Sequence, residues 1–317
     1  MQRDFTHCPR TINTYGGKNG TKIGITYNNE KYMLKLPPKA KSNENMNYTN
    51  CCISEYVACH IFNTLGITAQ ETMLGTYKNK LAVVCKDFTN EHTRLQEFAH
   101  LKNTIIDSEQ NGYGTELSDI LEAIDEQQLL PSDELKKHFW NMFIADALLG
   151  NFDRHNGNWG FLADMKEEKT SIAPVYDCGS CLYPQMDEQG MKNILGDEAE
   201  IEKRIFVFPT SAIKEDNVKI NYANFLMTTK NKDCIEALQR IGSRIDMQAI
   251  NDIIENTPYI SDTHKEFLNT MIEERRANII EPALKRFEKT IKKPRKLPNC
   301  LDDIIENAQK ENDEQYE

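Results

Sequence analysis

The sequence predicts an α+β chain of two unequal lobes, a small N-terminal antiparallel sheet with one helix followed by a larger, mainly helical region. Three observations carry this expectation. Apolar residues alternate on both sides of the turn formers Asn28 and Asn29 across residues 22–36, a helical stripe follows over residues 51–65, and beyond Phe88 helical periodicity dominates. The expected organisation is an N-terminal lobe over 1–88, a helical lobe over 89–291 and a charged tail over 292–317.

KIGITYNNEKYMLKL reads as a hairpin, and Pro37 and Pro38 end its second strand. Ile53, Val57, Ile61 and Leu65 stand four apart and lie on one side of a helix that stops at Gly66. Residues 73–77 and 81–84 read as two further strands joined at Lys78 and Asn79. The polar-rich stretch 95–124 is expected to be helical, with a break at 111–114. Ser132 is placed to cap a helix over 133–149 that is apolar on most sides and therefore belongs in a core. Gly150 ends it, a polar loop over 151–158 follows, and 159–162 with 172–176 suggest a small hairpin. Helical periodicity returns over 235–254 and 265–280.

Composition narrows the function. Of 317 residues, 39% are hydrophobic and 27% charged, and no run approaches the roughly 18 apolar residues of a membrane span. A net charge of −11 opposes broad binding to a phosphate backbone, so nucleic acid is not the expected partner. The first twenty residues are polar, without the apolar stretch of a secretory signal, and nine irregularly spaced cysteines, two of them adjacent (Cys51, Cys52), fit reduced thiols. The expectation is a cytoplasmic protein.

Phosphoryl transfer from ATP needs phosphates held, metal charge placed between them and a hydroxyl oriented, and the chain offers a candidate for each part. In GNFDRHNGNWGFL, Asp153 and Asn158 have the D-x-x-x-x-N spacing of a kinase catalytic loop, and Asp177 in VYDCGS begins a D-x-G. Asp153 suits the proton acceptor, while Asn158 and Asp177 supply the hard oxygens preferred by Mg²⁺. Lys35, on a strand, is placed to neutralise the α- and β-phosphates, and Glu55, on the next helix, to hold it by an ion pair. YGGKNGTK, with Gly17, Lys18, Asn19, Gly20 and Lys22, suits a loop that covers phosphates, because glycine lets the backbone approach closely. These parts fall in the order of a bilobal protein-kinase-like fold.

FWNMFIADALLGNFDRHNGNWGFL and IAPVYDCGSCLYP resemble the HipA-like serine/threonine kinases. The resemblance implies ATP and Mg²⁺ as cofactors and a protein, itself included, as the hydroxyl substrate. It implies Asp153 as the catalytic Asp, His155 to Asn158 and Tyr176 with Asp177 as nucleotide and metal contacts, and Lys86, Asp87 and Phe88 as the hinge that meets adenine through backbone groups. Two departures stand out. The chain starts almost directly at the Gly-rich loop, so the antitoxin-pairing surfaces of longer relatives are not expected, and Tyr15 stands where some relatives carry an autophosphorylated Ser.

Two other readings use the same residues. A lipid kinase of the phosphatidylinositol type shares D-R-H-N-x-N, but a chain of −11 with basic residues concentrated over 285–296 is repelled by an anionic membrane. A pseudokinase is expected to lack a metal ligand or the strand lysine, and both are present. Cys178 and Cys181 form a C-x-x-C with no second pair to complete a zinc site.

Overall fold

Asn28 and Asn29 take left-handed backbone angles (φ 50° and 64°) and close strand β1 (Thr21–Tyr27) onto β2 (Glu30–Leu36). Consecutive left-handed residues make the hairpin turn whose twist matches its strands, and asparagine tolerates that conformation better than most side chains. Lys78 and Asn79 (φ 50° and 59°) repeat the device between β3 (Thr72–Tyr77) and β4 (Lys80–Lys86). The four strands form one antiparallel sheet in the order β1-β2-β4-β3. The computed structural model describes residues 3–12, 21–38, 49–106 and 110–291.

Successive strand residues face opposite sides, so Val83 and Val84 enter different cores. Val84, Leu34 and Ile25 pack under Phe5, whose N–H bonds Thr76 O at 2.8 Å. Val83 and Leu74 face helix α1 (Cys51–Thr64), which ends at Leu65 and Gly66 (φ 72°). The two lobes meet where Ala69 bridges Val175, with Gln70 N donating to Val175 O and Val175 N to Thr68 O, both at 2.8 Å.

The expected helix over 95–124 begins later. Thr93–Glu97 is a strand, β5, paired with β6 (Gly160–Asp164), which pairs with β7 (Lys169–Ile172). The partner strand lies more than sixty residues away, and alternate burial of Thr93 and Leu95 fits pairing better than a helical face. Helices α2 (Phe98–Ile105) and α3 (Leu117–Glu126) follow. The run 172–176 adds only Ile172 to the sheet, while Val175 makes the bridge to Ala69.

Helix α4 (Ser132–Leu149) is buried over most of its length, with Phe139, Trp140 and Phe143 at the centre of an aromatic cluster. Pro131, and not Ser132, stands at its N-cap: Glu134 N and Leu135 N bond to Pro131 O (3.1 and 3.2 Å), so Ser132 is already helical and makes no side-chain cap. Gly150 (φ 63°) ends α4 in the left-handed conformation that glycine adopts without strain.

Helices α5 (Glu188–Leu195), α6 (Glu198–Phe206) and α7 (Tyr222–Thr228) and the hairpin β8 (Lys214–Glu215) with β9 (Val218–Lys219) add a layer that periodicity does not reveal. Each helix is too short for a strong stripe, although Asp187, Asp197 and Asn221 cap them in the ordinary way. The periodic run 235–254 divides into α8 (Lys232–Gly242) and α9 (Met247–Glu255), the second capped by Asp246. Helix α10 (Asp262–Arg275) continues through a π-helical turn, Arg276–Ile280, into α11 (Glu281–Ile291). Among the described residues no helix is long and apolar enough to cross a membrane. The architecture is the bilobal protein-kinase-like fold.

Candidate active site

Strand β2 carries Lys35 to the floor of the cleft between the lobes, where Nζ lies 3.0 Å from Glu55 Oε2 of α1 and 3.0 Å from Asp177 Oδ1. Glu55 is buried, and its second oxygen accepts the Cys178 N–H at 3.1 Å. Burial alone would lower the pKa of the Lys35 ammonium, but the carboxylates of Asp177 and Glu55 outweigh it and hold the value well above ordinary. The Lys35 charge in turn draws the Asp177 carboxyl down to about 2, whereas burial leaves Glu55 raised despite its lysine. Asp177 has φ 56°, a left-handed angle uncommon for aspartate.

The loop after α4 is fixed by its own side chains. Asn151 Oδ1 accepts Asp153 N at 3.0 Å, and Asn158 Nδ2 donates to Asp153 O at 2.7 Å. Gly157 N donates to His155 Nδ1 at 3.0 Å, which makes that ring nitrogen the acceptor and leaves the proton on Nε2. Burial raises the Asp153 carboxyl above its usual value, and the negative Asp177 adds to the rise, while the Arg154 guanidinium offsets part of it.

Arg154 is the residue that motif spacing missed. Buried at the base of the loop, it pairs through Nε with Asp146 Oδ2 of α4 (3.0 Å) and donates from Nη1 to the carbonyls of Asn158 (2.9 Å) and Tyr176 (2.6 Å). One guanidinium thereby joins the Asp153 loop to the segment that carries Asp177. A signal was present: an aspartate in the apolar run of α4 needs a buried partner, and the arginine beside Asp153 was available to supply it.

Lys22, Lys35, Glu55, Asp153, Asn158 and Asp177 share one cleft of about 1390 Å³, and Asp87, Phe88, His155 and Tyr176 stand on its walls. The Phe88 and Tyr176 rings lie 6.0 Å apart and form an aromatic end, while Tyr176 OH bonds Gly157 O at 3.1 Å. Lys86 does not line the cleft. Its ammonium pairs with Glu30 (2.6 Å) and Glu71 (3.4 Å), and its carbonyl accepts Gln70 Nε2 at 2.9 Å. Its N–H donates to Glu71 O at 2.8 Å, so both backbone groups that a hinge contact would use are already bonded within the small lobe. Gly17, Lys18, Asn19 and Gly20, with Tyr15 and the tail over 292–317, lie outside the described residues. Cys178 and Cys181 are both buried beneath the loop.

Among the described residues no group of three or more His, Cys, Asp or Glu side chains is arranged to hold a metal by itself. Asn158 and Asp177 fit a different kind of site. With Nδ2 spent on Asp153 O, the remaining polar atom of Asn158 is its amide oxygen, and Asp177 is an ionised carboxylate; this is the sparse hard-oxygen set with which Mg²⁺ is held jointly with phosphates.

A small antiparallel sheet with one helix, a helical lobe, and a lysine shared by carboxylates from both lobes define a phosphotransferase of the protein-kinase class. Residues 16–249 match the HipA-like C-terminal domain family, and the chain belongs to that family. Serine/threonine-protein kinase CtkA of Helicobacter pylori (strain J99) is 55% identical over 284 residues, which cover 88% of this chain and 87% of that protein. The crystal structure of a Helicobacter pylori proinflammatory kinase, CtkA, superposes with a TM-score of 0.87 at 53% identity over 92% of this chain and 99% of that one. HipA of Shewanella oneidensis MR-1, solved with HipB and operator DNA, shares the fold at a TM-score of 0.53 and 15% identity, over 87% of this chain and 69% of that one. The chain is a serine/threonine-protein kinase of the HipA-like type.

Proposed function

We propose that this kinase transfers the γ-phosphoryl group of ATP to a serine or threonine hydroxyl of a protein, with copies of itself among the acceptors, and that Asp153 accepts the hydroxyl proton. The observation that carries the reading is the placement of Lys35 between Glu55 and Asp177 at one wall of the cleft that Asp153 and Asn158 face from the other. Lys35 neutralises the α- and β-phosphates, and Glu55 holds it by a buried ion pair. Asn158 and Asp177 would hold Mg²⁺, which when bound would supply positive charge against the phosphates. Phe88 and Tyr176 flank the base, the backbone of Asp87 and Phe88 meets its edge, and Lys22 lies against the phosphates. The lobe boundary belongs at Phe88, next to this hinge.

A carboxyl whose pKa is raised by burial is a better proton acceptor than a solvent-exposed one. Arg154 keeps the acceptor and the metal ligands in register by holding the carbonyls of Asn158 and Tyr176. Incubation with labelled ATP and a panel of proteins, phosphoinositides and aminoglycosides tests the reading, with Asp153→Asn as the control. Label on protein that disappears in the control is the expected result; label on lipid or aminoglycoside alone overturns it.

A further inference from the structure

Between α6 and α7 the chain forms the hairpin of β8 and β9, turned by Asp216 and Asn217 (φ 53° and 61°), and the fold braces it against the catalytic loop from both sides. On one side Ile220 and Tyr222, which follow β9, are buried in the large-lobe core, and Tyr222 OH donates to Asn151 O at 2.7 Å. Asn151 is the residue whose side chain holds Asp153 N. On the other side Lys214 N donates to Thr115 O at 2.8 Å, and Thr115 Oγ1 returns a bond to Ala212 O at 2.7 Å. The preceding carbonyl, that of Gly114, accepts Nδ2 of Asn156 from the catalytic loop at 2.7 Å. Hairpin and catalytic loop are therefore built as one unit.

Lys214 and Lys219 stand directly opposite one another in this hairpin. Opposed residues of an antiparallel pair project to the same face, and like charges placed so destabilise it. Among the described residues neither lysine forms an ion pair that would offset the cost. The ammonium of the exposed Lys219 acts instead on Asp153, where it offsets part of the rise that burial causes in that carboxyl. Asp153 lines the nucleotide cleft, and neither hairpin lysine does. The hydroxyl that gives its proton to Asp153 belongs to the acceptor, so a charge that reaches Asp153 from outside the cleft also reaches the residues flanking that hydroxyl. We propose that Lys214 and Lys219 determine acceptor specificity, selecting serine and threonine residues flanked by aspartate or glutamate. The inference rests on the reading of Asp153 as the site of transfer. The competing role is a contact to the phosphates of ATP. Position favours the acceptor, because Lys22 and Lys35 stand on the cleft wall and the hairpin lysines do not.

Labelled ATP and an array of serine peptides, in which each position flanking the serine is fixed in turn as Glu, Ala or Lys, test this on the full chain and on Lys214→Gln, Lys219→Gln and Lys219→Glu. The unmutated chain is expected to favour Glu-flanked over Ala-flanked peptides by about fivefold in kcat/KM, the upper size of one exposed ion pair, and the preference should shrink at high salt. Each change to Gln should remove part of the preference through the KM for peptide, with the KM for ATP unchanged. Lys219→Glu should turn the preference towards Lys-flanked peptides, a reversal that a merely structural role of the hairpin would not produce. An unmutated chain without preference for acid overturns the proposal. So does a Lys219→Gln chain in which the KM for ATP rises and the peptide preference stays, the mark of a phosphate contact, and so does label on whole proteins with none on any peptide. If nothing is labelled, or if Asp153→Asn labels as well as the unmutated chain, the reading of Asp153 itself fails and takes this inference with it.

Discussion

Lys35 Nζ is equidistant, at 3.0 Å, from Glu55 Oε2 on the helix of the small lobe and from Asp177 Oδ1 on a loop of the large one. A single ammonium thus joins a strand, a helix and the D-x-G segment. Because the lysine carries the charge and Glu55 positions it, Lys35→Ala should reduce kcat/KM more than Glu55→Ala. The double variant should lose far less than the sum, since no lysine remains to misplace. A double-mutant cycle on kcat/KM measures the coupling; a term near zero would mean the two residues act independently.

Asp153 and Asp177 should separate kinetically. Asp153→Ala is expected to leave nucleotide affinity within several-fold and to remove transfer, because the base touches the hydroxyl and not the nucleotide. The acid limb of the pH profile follows the same assignment. Burial raises the Asp153 pKa above 3.8, so activity is present above that raised value and is lost as pH falls through it, whereas Asp177, drawn down to about 2, stays ionised over the whole limb. An acid limb centred below pH 3.8 would contradict the role given to Asp153.

Arg154→Ala should destabilise the protein by about 3–5 kcal/mol, because it strands the buried Asp146 carboxylate and leaves two loop carbonyls without their donor. Neutralising the stranded charge should recover part of this loss, so Arg154→Ala with Asp146→Asn should be more stable than Arg154→Ala alone. Chemical denaturation of the three variants decides the point, and strict additivity would refute the pairing argument.

Two histidines outside the cleft set a pH dependence of stability. Burial holds His138 and His264 down to about 4, against an ordinary value of 6.5. Between those values the unfolded chain binds more protons than the folded one, so stability rises with pH, is fully present above about 6.5 and is lost as pH falls towards 4. The effect is at most about 3 kcal/mol for each histidine. Denaturation midpoints at pH 7 and 4.5 should differ less in a His264→Gln variant than in the unmutated protein, and an unchanged difference would rule His264 out.

Local chemistry by itself determined the hairpins turned by Asn28, Asn29, Lys78 and Asn79, the helix that ends at Gly66, the buried helix that ends at Gly150, and the spacing of Asp153, Asn158 and Asp177, because turns, caps and periodicity act over a few residues. What required the folded chain were relations between distant segments. Strand β5 exists because a partner more than sixty residues away pairs with it, although its polar text reads as helix. Lys86 leaves the hinge because strand pairing, and not motif order, commits its backbone, the N–H to Glu71 O and the carbonyl to Gln70 Nε2. Arg154 found Asp146, and Glu97 found Tyr113, only when two loops and two helices packed together; neither pair has a fixed spacing, since a hydrogen bond between side chains depends on distance in space and not along the chain.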